Sequence, residues 1–102
     1  MNEQTRAYVD KVAKIIAANP DVTKAVVVGP AVEKGFTFGD KIQLAVFTEP
    51  DAKYTKVFKD LNRALFDSDL TKVELNMTAD EDFYAVVYNL IDKGEVIFER
   101  QE

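Results

Sequence analysis

Lys41 and Gln43 lie two residues apart at the start of KIQLAVF, a run that alternates polar and apolar residues and predicts a β-strand. Because side chains two apart on a strand point to the same face, both would contribute to one site. Gly29 ends the preceding predicted strand, and a loop with two more glycines joins the two strands. Such loops can hold phosphates, and acids on the second strand can bind metal. Here those two positions are a lysine and an amide.

The available ligands argue against a tight metal site. The chain contains no cysteine and no histidine, which excludes Cys/His zinc sites, thiol nucleophiles and histidine bases from these residues. Mg²⁺ requires several hard oxygen ligands. Glu74, on the next predicted strand, offers one carboxylate, Gln43 offers a neutral carbonyl, and a charged Lys41 repels a cation. We therefore expect no metal and no cofactor.

Hydrophobic periodicity divides the chain into seven elements, with Gly, Pro and Asp residues at the boundaries. The predicted order is α-β-β-α-β-α-β: helix 3–18, strands 22–28 and 41–47, helix 52–66, strand 71–77, a helix opened by residues 78–81, and an edge strand 95–99. This order predicts an α/β (α+β) fold with a small mixed sheet flanked by helices, in a single domain, 1–102. The helix between strands two and three predicts that they pair in parallel.

The second predicted helix has an expected N-cap and an expected buried face. Asp51 is its expected N-cap. Its buried stripe is expected to include the aromatic residues Tyr54 and Phe58 together with Val57, Leu61 and Leu65. The DSD tripeptide that follows, residues 67–69, is expected to form a turn.

From its first strand onward the chain resembles the minimal nucleotidyltransferase family, small members of the DNA polymerase β-like superfamily. In that family a strand ends in Gly-Ser, a loop with Gly and Arg follows, and the next strand carries two acids flanking one apolar residue. Here VVVGP has Gly29 at the glycine and Pro30 at the serine. Lys41 and Gln43 occupy the acid positions in a strand that otherwise resembles the family's IDLAV. Glu74, in TKVELNM, matches a third acid, and YNLIDKGEVIFE is similar to the family's closing helix and strand.

The resemblance implies a site whose catalytic metal ligands are largely gone. Active relatives use Mg²⁺, whereas here Lys41, Gln43 and Glu74 are remnant positions. Gly29, Pro30 and Lys34 are the implied nucleotide-binding positions, and proline lacks both the serine hydroxyl and a backbone donor. We therefore expect a catalytically degenerate binding or regulatory module rather than an enzyme.

The resemblance also implies a protein partner. Many relatives pair with a small helical protein of the HEPN class as antitoxin-like components, so such a partner, or a homo-oligomer, is expected. One alternative is an active nucleotidyltransferase that uses Glu74 with an unusual metal arrangement. Another is metal-free nucleotide binding in which Lys41 supplies the charge. Simpler interpretations are a strand-ending Gly29, a solvated Lys41, or an ion pair between Lys41 and Glu74.

Charge and composition restrict the other partners. The net charge of −5 disfavours nucleic acid and anionic membranes, because both require a basic surface. No apolar run approaches the ~20 residues of a membrane span. The first residues, MNEQTRAYVDK, lack the basic and apolar regions of a secretory signal. We therefore expect a cytoplasmic protein without a membrane partner.

Overall fold

The computed structural model describes residues 1–33, 41–78 and 94–100. Its helices are α1 (Glu3–Ala17) and α2 (Tyr54–Asp67), and a short 3₁₀ helix spans Gly29–Val32. Its strands are β1 (Val22–Val28), β2 (Ile42–Thr48), β3 (Val73–Thr78) and β4 (Glu95–Glu99). The predicted third helix, with most of the segment expected to open it, lies outside the described residues.

The four strands form one mixed sheet in the order β3-β2-β1-β4. β1 pairs with β2 and with β4 in antiparallel fashion, whereas β2 and β3 are parallel. The α/β (α+β) class and the parallel pairing around α2 are therefore confirmed. In the described part of the chain β4 lies at one edge of the sheet, as predicted, and β3 lies at the other.

The sheet has an apolar cluster on each face. Its larger cluster joins α1 and α2 to one face; its members include Val9, Val12 and Ile16 of α1, Val57, Leu61 and Leu65 of α2, and Ala25, Val27, Ile42, Leu44 and Val46 of the sheet. A smaller cluster on the opposite face contains Val26, Val28, Ala45 and Phe47. Since β1 and β2 are buried on both faces, their sequences are almost continuously apolar.

The start of α2 corrects one prediction. Asp51 is not its N-cap, because Lys53 occupies that position and provides no side-chain hydrogen bond. The Ala52 N–H instead donates to the Glu49 carbonyl oxygen at 3.0 Å, which closes a turn before the helix begins. Pro50 is the second residue of this turn, where its restricted φ is favourable, so Asp51 is part of the turn rather than the helix.

The end of α2 is a Schellman motif that contains an aspartate where glycine is usual. The Leu70 N–H donates to the Leu65 carbonyl oxygen at 2.8 Å, and the Asp69 N–H donates to that of Phe66 at 3.0 Å. Asp69 has φ +59°, in the left-handed region. Leu65 and Leu70 are both buried beneath the turn. The predicted turn is thus confirmed at Ser68 and Asp69, whereas Asp67 is the last residue of α2, and the turn directs the chain into β3.

The aromatic residues of α2 correct a second prediction. Val57, Leu61 and Leu65 are buried as expected, but Tyr54 and Phe58 are both 43% exposed. The buried residues recur every four positions and form a narrow line against the sheet. Phe58 is about 100° around the helix from Val57, which takes it out of that line.

Candidate functional site

Three strands contribute to one row of residues at the same end of the sheet. Val28 of β1 pairs with Gln43 of β2, and Gln43 pairs with Glu74 of β3. Paired residues on neighbouring strands share a face, so Gln43 and Glu74 are side by side on the face opposite α1 and α2. Val28 is buried, whereas Gln43 and Glu74 are exposed to solvent. Gln43 and Glu74 are therefore neighbours on one face of the sheet, whereas Lys41, which precedes β2, is not part of this row.

The next row along the same face adds one more polar side chain. Asn76 lies two residues after Glu74 and pairs with Ala45. Its amide group donates to the Leu44 carbonyl oxygen at 3.2 Å, which binds the side chain to the sheet backbone. Its neighbour Ala45 is fully buried. Asn76 thus extends the polar part of this face along β3.

These donors do not fit the Mg²⁺ that the family resemblance implies. Glu74 brings one carboxylate and Gln43 one neutral oxygen, whereas Mg²⁺ is held by several hard oxygen ligands in octahedral geometry. Within residues 1–33, 41–78 and 94–100, no group of three or more His, Cys, Asp or Glu side chains could hold a metal ion.

Lys41 lies just before β2 rather than within it. It lines a cavity of about 380 Å³ with residues of the last turns of α2, including Arg63 and Phe66. Lys41 and Glu74, both within the described ranges, do not form an ion pair with each other. The ion pair considered above is therefore wrong, and Lys41 is instead associated with a second cation, Arg63.

Gly29 directly follows Val28, at the end of the row. Its φ of +73° lies in the left-handed region, which side chains other than glycine rarely adopt. A Cβ atom built there would meet no atom within 4 Å, so the backbone conformation, not crowding, requires glycine. Pro30 is the second residue of the 3₁₀ helix that follows. Lys34, the third implied nucleotide-binding position, lies outside the described residues.

The sequence interpretation missed the outer surface of α2. Arg63 and Phe66 border the same cavity as Lys41, and Phe66 is 72% exposed. A signal was present, because Phe66 lies one position after Leu65 and therefore outside the line of buried residues. Periodicity alone did not show that an aromatic residue off this line would be left in solvent.

Comparison with known proteins finds no protein family model and no curated protein that matches the chain. The described helices include none with the length and apolar character needed to cross a membrane.

Proposed function

We propose that this chain is a nucleotidyltransferase-like module that has lost metal-dependent catalysis and functions by binding a protein partner. The row formed by Val28, Gln43 and Glu74 is the observation that carries this proposal. The resemblance requires the second and third acid positions to be neighbours at the end of the glycine-terminated strand. Gln43 and Glu74 satisfy that spatial requirement, but they supply only one carboxylate between them.

The loop that would hold a triphosphate supports the same proposal. Pro30 stands at the serine position of the resemblance and has neither a hydroxyl nor a backbone N–H to donate. A lost donor to a transition-state oxyanion can cost about 2–4 kcal/mol, which at 1.36 kcal/mol per decade is more than tenfold in rate. Loss of the metal ligands adds to this defect, so catalysis is impaired at two independent points.

The partner that the resemblance favours is a small helical protein of the HEPN class, with this chain as the antitoxin-like component. A self-associated form is the alternative assembly. A cytoplasmic location is part of the proposal, since a chain without cysteine requires no oxidising compartment.

Nucleotide transfer tests the proposal directly. The wild type, a Lys41→Asp/Gln43→Asp variant and the same variant with Pro30→Ser would each be incubated with Mg²⁺ and radiolabelled nucleoside triphosphates. Label would be measured on the chain itself and on proteins that co-purify with it. We expect no transfer by the wild type, little by the double variant and more by the triple variant. Transfer by the wild type that equals the triple variant would contradict the proposal.

A second candidate function, metal-free nucleotide binding, is favoured by one observation. Lys41 and Arg63 line the same cavity, so two cations could neutralise phosphate oxygens without a metal. Binding of ATP in the presence of EDTA, measured by calorimetry, tests it. Under this candidate function Lys41→Ala weakens ATP binding at least tenfold, whereas equal binding by wild type and variant would rule it out.

A further inference from the structure

The outward surface of α2 carries aromatic side chains that the core does not use. Tyr54 and Phe58 are 43% exposed, and Phe66 is 72% exposed. Together with Asn62, they are spaced four residues apart along the helix. Side chains at this spacing form a continuous ridge of the kind that fits into the groove of another helix. We call the surface formed by Tyr54, Phe58, Asn62 and Phe66 the α2 ridge.

Among the described residues, cations outnumber carboxylates along the α2 ridge: Lys41, Lys59 and Arg63 line its cavities, against one carboxylate, that of Asp60. At about 100° per residue, Lys59 and Arg63 lie within about 60° of Phe66 around the helix axis. Asp60 and Asp67 lie about 100–120° from Phe66, on the flank of the helix. Within the part of the chain that the structure describes, neither Lys59 nor Arg63 forms an ion pair. This surface is therefore locally basic in a chain of net charge −5.

Three cavities follow the α2 ridge from one end to the other. The first, of about 230 Å³, lies between Tyr54, Phe58 and Met77 of β3 and is predominantly apolar. The second, of about 500 Å³, is lined by Phe58, Lys59, Asp60, Asn62 and Arg63. The third is the cavity of about 380 Å³ that Arg63 shares with Lys41 and Phe66. The surface therefore offers an apolar cavity near the start of α2 and, farther along, two cavities in which cations outnumber carboxylates.

We propose that the α2 ridge is the docking site for an acidic amphipathic helix of a partner protein. The exposed aromatic residues would cover the partner's apolar stripe, and Lys59, Arg63 and Lys41 would meet its carboxylates. From Tyr54 to Phe66 the ridge extends about 18 Å, which corresponds to about three turns of a helix. Charge complementarity favours an acidic partner, and the overall negative charge opposes nucleic acid.

This docking site deepens the proposed function and rests on its partner-binding part, but it uses neither Gln43 nor Glu74 and so does not depend on the loss of catalysis. The result of the nucleotide-transfer assay therefore does not decide whether the α2 ridge binds a partner helix. The two proposals therefore fail in different experiments.

Fluorescence anisotropy with model helices tests the docking site. The probes are a fluorescein-labelled amphipathic peptide with a leucine stripe flanked by glutamates, the same peptide with lysines at the flanking positions, and a labelled oligo-dT strand. The variants are Arg63→Glu and Phe66→Ala, with Lys14→Glu as the charge-matched control on the exposed surface of α1. Arg63 and Phe66 are exposed, so both substitutions leave the core intact, which thermal unfolding verifies.

We expect the glutamate peptide to bind and the lysine peptide to bind at least tenfold more weakly. Arg63→Glu and Phe66→Ala should each weaken binding of the glutamate peptide about tenfold, with less than a twofold effect of Lys14→Glu. Binding should also weaken as salt screens the charges. No binding of the glutamate peptide, equal binding of both peptides, or unchanged binding by both ridge variants would overturn the proposal. Tighter binding of oligo-dT would overturn it in favour of nucleic acid.

Discussion

A carboxylate at position 43 would directly face the carboxylate of Glu74, because the two positions pair across parallel strands. Gln43→Asp therefore introduces like-charge repulsion at the candidate site. Neighbouring strands are about 4.8 Å apart, so the two carboxylates would be about 5 Å apart. Both positions are exposed, and the dielectric constant of water, ~80, is the appropriate one. Coulomb's law then gives about 0.8 kcal/mol of repulsion at low salt.

Gln43→Asn is the matched control, since it has the shape of aspartate without the charge. At neutral pH we expect the free energy of unfolding of the Gln43→Asp variant to be about 0.5–1 kcal/mol lower than that of the Gln43→Asn variant.

Urea unfolding measured by circular dichroism and tyrosine fluorescence provides the free energies, since the chain contains four tyrosines and no tryptophan. The same pair of variants in a Glu74→Gln background completes a double-mutant cycle. There the difference between aspartate and asparagine at position 43 should vanish. Equal stability of the two variants at neutral pH, or a difference that persists without Glu74, would refute the pairing of these side chains at the site.

Three backbone and core substitutions test the elements that position the site, each by urea unfolding. Asp69→Gly should raise the free energy of unfolding by about 1 kcal/mol by relieving the left-handed conformation, whereas Ser68→Gly, at φ −97°, should not stabilise. Gly29→Ala should lower the free energy of unfolding by about 1–2 kcal/mol, because alanine is strained in the left-handed backbone conformation of this residue. Unchanged stability would show that the backbone of the 3₁₀ helix adjusts to the substitution. Thr5→Val should raise the free energy of unfolding by about 1 kcal/mol, because the fully buried Thr5 hydroxyl has no hydrogen-bond partner among the residues that the structure describes, and destabilisation would indicate that this hydroxyl is satisfied.

Local sequence patterns predicted the sheet and the positions of Gln43 and Glu74, but not that of Lys41, which precedes β2 and lines a cavity with residues of α2. The alternation of Ile42, Gln43 and Leu44 specifies which side chain is exposed, and the pairing of β2 with β3 places Gln43 beside Glu74. The helix between these strands was sufficient to predict that they are parallel, since the connection must cross the sheet. These features depend on residue order and period, both of which are visible in a sequence.

The surface of α2 was harder to predict, because its exposure depends on packing. Tyr54 and Phe58 are apolar enough for a core position, but Val57, Leu61 and Leu65 fill the line that contacts the sheet. The N-cap prediction was wrong because Pro50 favours a turn that includes Asp51. The turn signal of Pro50 and the N-cap signal of Asp51 competed at adjacent positions. The cavity shared by Lys41 and Arg63 joins residues distant in sequence, and no local pattern relates them.

The affinity for divalent metal tests the central claim, the loss of metal-dependent catalysis, most directly. Calorimetric titration with Mg²⁺ and Mn²⁺ would compare the wild type with Lys41→Asp/Gln43→Asp, and with that variant carrying Glu74→Gln. We predict that the wild type binds no more tightly than millimolar, because Glu74 is the single carboxylate in the row. The double variant should bind at least tenfold more tightly, and removal of Glu74 should reverse the gain. A micromolar site in the wild type that Glu74→Gln abolishes would contradict the account.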